Sequence, residues 1–189
     1  MPLSFPALRY TLTRQEMAYH VFLRITDDSG RLVMYCQQKM SQLKEHYTIY
    51  ADEERKNEIF MLQAVKAEHT IGAFELIASE NCEKIGEIRR MKGKQLSVDE
   101  WHLLDAQGNV VALMIEDSAQ KAAWRRLLLG SLLPPSYDFR MANSRVGLIA
   151  TKIGFRKFQL DFDFTLDITG KLDRRLALCA GLLLSTATN

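Results

Sequence analysis

Cysteine is scarce in this 189-residue chain: Cys36, Cys82 and Cys179 stand far apart, odd in number and without a Cys-x-x-Cys spacing. That argues against a disulfide framework and a zinc site, and it suits a reducing compartment. An excess of one charge is lacking too. Twenty-five basic against 23 acidic side chains leave a formal +2, so no strong global field draws the protein to nucleic acid or membrane, and any anion site has to be local. Long apolar runs are missing. The most lipid-like stretch, Leu176 to Leu184, covers ~14 Å as a helix, at about 1.5 Å per residue, against a hydrocarbon core of roughly 30 Å, and cannot span a bilayer alone. The opening Met1-Pro2-Leu3-Ser4-Phe5-Pro6 has no apolar run behind basic residues, so it does not read as a secretory signal. No GxSxG, HExxH, GxGxxG or GxxxxGK[ST] occurs, which removes the common hydrolase, metalloprotease and nucleotide-binding signatures.

What is present is the balance of one folded domain, 47% hydrophobic and 25% charged, enough for a single well-buried core. A rhythm runs through it. Polar turn clusters begin at Asp27, Asp52, Ser79 and Asp105, spaced 25, 27 and 26 residues apart. Alternating runs flank them: Tyr47-Thr48-Ile49-Tyr50 with Ile59-Phe60-Met61-Leu62, Phe74 to Ile77 with Ile85 to Ile88, and Trp101 to Leu104 with Val110 to Ile115. β-branched and aromatic residues alternating around turn formers predict successive β-hairpins. Asp105-Ala106-Gln107-Gly108-Asn109 is the strongest turn, because Gly and Asn tolerate positive φ. Tyr137 to Met141 and Val146 to Ala150 form a further pair joined through Asn143-Ser144.

Phe158 to Ile168 is apolar at every even and polar at every odd position, the period of one continuous strand. Two stretches break the β rhythm. Ser118 to Leu129 reads as a surface helix, with a possible Ser cap and Gly130 at its end. Leu172 to Leu184 is apolar almost all round after Arg174-Arg175, the signature of a helix surrounded by protein or lipid. Length removes lipid, and strand is the only plentiful element left to surround it. The expected architecture is mainly β: a closed antiparallel barrel around a buried apolar C-terminal helix, closure also removing exposed sheet edges, the alternative being a helix that caps an open sheet. Residues 1–20 are expected to form a lead-in, an edge strand or a helix, and residues 21–189 the single barrel domain.

The stretch from Tyr35-Cys36-Gln37-Gln38-Lys39 through Tyr47-Thr48-Ile49-Tyr50, then Ile85-Gly86-Glu87-Ile88-Arg89-Arg90 and Trp101-His102-Leu103-Leu104-Asp105, resembles the hairpin units of phospholipid scramblases and plant LURP-one-related proteins. Phe164-Thr165-Leu166-Asp167 followed by Lys171-Leu172-Asp173-Arg174-Arg175-Leu176 is similar to their last strand and buried helix. The order of elements from Val21 onward carries the likeness. It implies a twelve-stranded tubby-like barrel and, among the activities of that superfamily, binding of lipid or phosphoinositide. A proline-rich N-terminal arm and a cysteine cluster are not found, so lipid translocation is not expected.

Arg89-Arg90-Met91-Lys92-Gly93-Lys94 places four cations within six residues at a strand-to-loop junction, and a phosphate site needs several donors converging on one anion. Arg125-Arg126 beside Trp124 could supply a second lobe. Against this stands the ordinary reading of such residues as a solvated face. Asp161, Asp163 and Asp167 invite calcium, but period 2 spreads them over roughly 20 Å at about 3.3 Å per residue, too far for one ion. His20, His46, His69 and His102 are scattered. The expectation is therefore a non-enzymatic binding module without cofactor or metal. It is placed in the cytoplasm, at or near a membrane surface, and engages anionic phospholipid headgroups through Arg89, Arg90, Lys92, Lys94, Arg125 and Arg126. The alternatives are an intracellular carrier or small hydrolase with an apolar pocket between barrel and helix, and a protein-interaction scaffold.

Overall fold

The computed structural model describes residues 4–39, 46–92, 99–117, 135–142, 144–154 and 157–187. Among them are the strands β1 (Arg9–Met17), β2 (His20–Asp27), β3 (Leu32–Lys39), β4 (His46–Tyr50), β5 (Glu58–Val65), β6 (Thr70–Ala78), β7 (Lys84–Met91), β8 (Glu100–Asp105), β9 (Val110–Glu116), β10 (Ser136–Met141), β11 (Ser144–Gly154) and β12 (Lys157–Asp163), then a helix, α1 (Arg174–Ala187). Each strand pairs antiparallel with its neighbour in sequence, and β1 closes the ring on β12, from Arg9 opposite Asp163 to Arg14 opposite Phe158. The closed antiparallel barrel expected from the alternating runs is the fold. Within the 1–20 stretch expected as a lead-in, β1 is paired on both sides, because its own alternation turns Tyr10, Leu12 and Arg14 into the lumen.

The apolar C-terminal stretch fills that lumen. Every residue of α1 from Leu176 to Ser185 is buried, and each Leu so placed contributes about 1.5–3 kcal/mol relative to leaving it in water. The dimensions agree. Fourteen residues rise about 21 Å as a helix, and eight-residue strands, at about 3.3 Å per residue and a tilt of about 40°, stand roughly 20 Å high. Helix and wall approach closely at Gly181, where a Cβ would lie 2.3 Å from the Phe162 ring.

The two ends of the barrel differ. The turns beginning at Asp27, Asp52, Ser79 and Asp105 join β2 to β3, β4 to β5, β6 to β7 and β8 to β9, all at what is here called the turn end. The β10–β11 turn lies at this end as well, and the opposite end, the loop end, carries the other strand-to-strand connections. The spacing of about 26 residues in the sequence is thus one strand up, one strand down and their two connections. In each of these hairpins the register shifts beside the turn, at Ile25/Thr26, Ile49/Tyr50, Leu76/Ile77 and Leu103/Leu104. A bulge there raises the local twist and bends the strand pair around a lumen.

The turns are stitched by aspartate. Asp27 Oδ1 accepts from the backbone N–H of Ser29 (3.1 Å) and Arg31 (3.0 Å), and Asp105 Oδ1 does the same with Gln107 (3.0 Å) and Asn109 (2.8 Å). Gly30 and Gly108 supply the left-handed residue at φ 81° and 87°, where a Cβ would be strained. Asp167-Ile168-Thr169-Gly170 is a third copy: Gly170, at φ 62°, donates to the Asp167 carbonyl at 3.0 Å, and Asp167 Oδ1 accepts from Lys171 N at 3.1 Å.

That third turn corrects one expectation. The alternation of Phe158 to Ile168 predicts a single strand, whereas β12 ends at Asp163. Asp163 Oδ1 captures Thr165 through its N–H (2.9 Å) and its hydroxyl (2.6 Å), and the chain swings over the turn end. Leu166 and Ile168, apolar by alternation, are left in solvent, Ile168 93% exposed. The helix expected from Leu172 begins at Arg174 because Asp173 caps it, accepting from Arg175 N at 2.9 Å. The surface helix expected over Ser118 to Leu129 lies outside the described residues.

Candidate functional site

Positions facing the lumen are apolar through most of its height and become polar toward the loop end. There they comprise Arg14, Gln38, Arg90, Glu116, Thr151 and the hydroxyls of Tyr47 and Tyr137. The C-terminus of α1 explains part of this. Its last carbonyls carry partial negative charge and its last turn has no basic residue of its own. Arg14 of β1 supplies one, donating through Nη1 to the Ser185 carbonyl and pairing through Nη2 with Glu16. Tyr47 and Thr186 share a hydrogen bond of 3.0 Å between their hydroxyls. Burial pushes the Tyr47 phenol up to about 12, the Thr186 bond pulling weakly the other way.

A second polar group centres on Asp99, at the start of β8. Its carboxylate accepts from Arg90 Nε (2.9 Å), Trp101 Nε1 (3.0 Å) and the Tyr137 hydroxyl (3.2 Å), while its N–H donates to Glu116 Oε2 at 3.3 Å. The Arg90 guanidinium also lies over the Trp101 ring, 5.3 Å from its centroid. Burial, then the Asp99 and Glu116 charges, push the Tyr137 phenol far up. A phenol held neutral and a carboxylate saturated by three donors tie β7, β8, β9 and β10 together.

Strand parity decides what the basic run can do. Gly86 and Ile88 face the helix, so Arg90 faces inward and Arg89 outward. Arg89 is chelated by Glu87 on the outer face, at 2.6 Å and 3.1 Å, and Glu87 also receives Lys84 at 3.6 Å. Lys92 is exposed just beyond β7, its N–H donating to the His69 carbonyl at 3.1 Å. Lys94, Arg125 and Arg126 lie outside the described residues. Of the six cations singled out in the sequence, the structure therefore places Arg89, Arg90 and Lys92 at one end of one strand, but not converging on one point.

What the run of cations did not disclose is the company at that end. The β1–β2 turn presents Met17 (56% exposed) and Tyr19 (81%), and Ile71 beside the β5–β6 turn is 61% exposed. Ala18 and His69 hold those turns in left-handed conformations, at φ 51° and 60°. Lys39, Lys66 and Lys92 are exposed at the same end, with side chains in no ion pair among the described residues. Glu68 stands among them. The signal for Arg14 was its even parity on β1 after Tyr10 and Leu12, which an alternation count extended to the N-terminal stretch would have found.

The other candidates take up structural work. Asp161 pairs with Lys152 at 2.5 Å on the outer face, and Asp163 with Arg9 at 3.2 Å. Asp167, its side chain fully buried, meets Arg174 at 2.8 Å. His102 contacts Glu100 at 2.6 Å. No three His, Cys, Asp or Glu among the described residues are grouped to hold a metal. Cys36 and Cys179 are buried, and burial pushes the Cys36 thiol up to about 12, which leaves it unreactive. Helix and barrel wall pack closely at Gly181.

No family model matches the chain, and no curated protein matches it in sequence. In fold it is similar to a protein of Arabidopsis thaliana known from an X-ray structure. That likeness covers 97% of this chain and 94% of the other, with a TM-score of 0.54 and 8% identity. At such identity the likeness is one of fold. Among the described residues no helix is long and apolar enough to cross a membrane.

Proposed function

We propose that this chain is a non-enzymatic binding module of the scramblase/LURP-one/tubby-like type, cytoplasmic, that docks by its loop end onto membranes bearing anionic phospholipid headgroups. One observation carries the reading. Exposed Met17, Tyr19 and Ile71 share an end with Lys39, Lys66 and Lys92. Apolar tips entering the interfacial layer while ammonium groups meet phosphates is how peripheral proteins combine two weak contributions. Arg89 and Arg90, engaged by Glu87 and Asp99, shape the end rather than contact the headgroup.

Co-sedimentation with vesicles tests this. Vesicles containing phosphatidylserine or a phosphoinositide pellet the protein at low salt and lose it at high salt, whereas pure phosphatidylcholine does not. Lys92→Glu weakens the association about fivefold or more, each cation near such a surface contributing about 1 kcal/mol. Absence of any lipid-dependent pelleting at low salt removes the proposal.

A further inference from the structure

The rim of the loop end carries a charge pattern beyond its lysines. In the ring, β2 to β7 are consecutive. Each meets this end with a basic or titratable residue at its terminus or one position beyond it: His20 on β2, Lys39 on β3, His46 on β4, Lys66 after β5, His69 before β6 and Lys92 after β7. Imidazole and ammonium alternate along half the rim, and Met17, Tyr19 and Ile71 share that arc. Histidines far apart in the sequence are brought together there by the meander of the sheet. The fourth, His102, lies within β8 off this arc, its ring 2.6 Å from Glu100.

The three rim histidines are exposed or half-buried, and their rings enter no hydrogen bond or ion pair among the described residues. His20 stands in the ladder between Met17 of β1 and Lys39 of β3, with the Phe22 ring 6.3 Å from its own. Glu16 of β1 is paired with Arg14. His46 faces Gln63 of β5, and its carbonyl accepts from Gln38 of β3 at 2.6 Å; Lys44 and Glu45, which precede it, lie outside the described residues. His69 shares its turn with Lys66 and Glu68, and its carbonyl accepts from Lys92 N at 3.1 Å. Three ammonium groups therefore stand on this arc against Glu68, and charging three imidazoles would double the positive charge it carries.

We infer that docking at this rim is gated by pH: protonation of His20, His46 and His69 completes a cationic arc, and the protein then binds anionic phospholipid membranes at least tenfold more tightly in mildly acidic than in neutral solution. The inference rests on the membrane reading above and names its regulation. Imidazole is the side chain that ordinarily changes charge between about pH 5 and 8, whereas carboxylates titrate near pH 4 and keep their charge through that window. Neighbouring strand ends stand about 5 Å apart, inside a Debye length of about 10 Å, so the charges act as one patch. Each cation added near an anionic surface is worth about fivefold in affinity.

Vesicles of phosphatidylglycerol in phosphatidylcholine are the probe, because their phosphodiester charge is constant over this range. Co-sedimentation of the full chain is read at about pH 8 and about pH 5.8, on either side of the imidazole range, at one low ionic strength. Association tightens at least tenfold on acidification. His20→Gln, His46→Gln and His69→Asn together flatten that response, asparagine being the choice at the last position because it tolerates φ 60°. His102→Gln leaves the response whole. Equal binding at the two pH values overturns the inference while the docking surface stands. So does a pH response that survives the triple variant, or an equal rise on pure phosphatidylcholine. Absence of binding at either pH removes the docking reading and this inference with it. Should the triple variant not fold, His20→Gln alone decides, and a response it does not diminish overturns the inference.

Discussion

The two ends of one barrel solve the same problem, closing a lumen around a helix, with opposite chemistry. At the turn end each connection is short, and a carboxylate binds its own backbone within four or five residues, at Asp27, Asp52, Asp105 and Asp167. At the loop end local pairs such as Arg14 with Glu16 are joined by long-range ones: Arg14 with Ser185, Tyr47 with Thr186, Tyr137 with Asp99. The helix termini sharpen the difference. Arg174 and Arg175 sit at the N-terminus of α1, where cations are disfavoured, and Asp167 and Asp173 offset them. At the other terminus the helix lacks a cation and borrows one from β1. Ends built from local contacts form with their own hairpins, whereas ends built from distant ones exist only once the barrel has closed.

The largest test of that comparison removes the buried partner at the turn end. Asp167→Ala leaves Arg174 uncompensated and strips acceptors from Lys171 and Leu172, and is expected to cost about 3–5 kcal/mol in urea unfolding. Arg14→Met at the loop end, which removes the borrowed cation while keeping much of the stem, should cost less, about 1–2 kcal/mol. A larger loss for Arg14→Met would reverse the ranking of the ends.

Acid and alkali separate them next. Ser29 holds the Asp27 carboxyl below its usual range, Asn109 does so for Asp105 and Thr165 for Asp163, so protons bind the unfolded chain first. The stability these groups contribute is present above their ordinary titration range, near pH 4, and is lost as pH falls through their lower folded values. Hydrogen exchange at low pH should therefore quicken first at the turn end. In alkali the sign reverses. Cys36 and Tyr47 are raised by burial to about 12 from ordinary values of 9.0 and 10.0, so stability is expected to fall between roughly pH 9 and 12, with the Tyr47–Thr186 contact opening at the loop end.

Vesicle binding should discriminate the ends more finely. Tyr19→Ser is expected to reduce pelleting several-fold, while Ile168→Ser, an equally drastic loss of an exposed apolar side chain at the turn end, leaves it unchanged. Equal losses would mean that hydrophobicity, not the loop end, drives association. The smallest effect is a gain. Arg55 occupies the left-handed position of its turn, φ 60°, where two sister turns have glycine, so Arg55→Gly should stabilise by about 1 kcal/mol, read as a higher urea midpoint.

Much of the barrel was legible because hairpins are local. The turn clusters and the alternation around them follow from residues a few positions apart, and the apolar C-terminal stretch could only be enclosed. The strand over Phe158 to Ile168 failed at Asp163 for a reason also present in the sequence: Asp167-x-x-Gly170 repeats the spacing of Asp27-x-x-Gly30 and Asp105-x-x-Gly108, and a turn signal overrides alternation because its side chain takes the backbone N–H groups a ladder would need. The cluster from Arg89 onward misled in another way. Adjacency in a strand sends neighbours to opposite faces, so a dense run of charge is not a convergent one.

The sequence by itself determined the strand rhythm, the aspartate turns and the enclosure of the last helix, because each rests on short-range sterics or on the aversion of apolar surface to water. Only the tertiary structure decided that β1 pairs with β12, that Arg14 serves a helix 171 residues away, that Met17, Tyr19 and Ile71 gather with lysines at one end, and that Phe5 is buried against Phe60 at the other. Those are facts of closure: bringing distant segments together depends on the shape of the whole ring, and no local pattern records it.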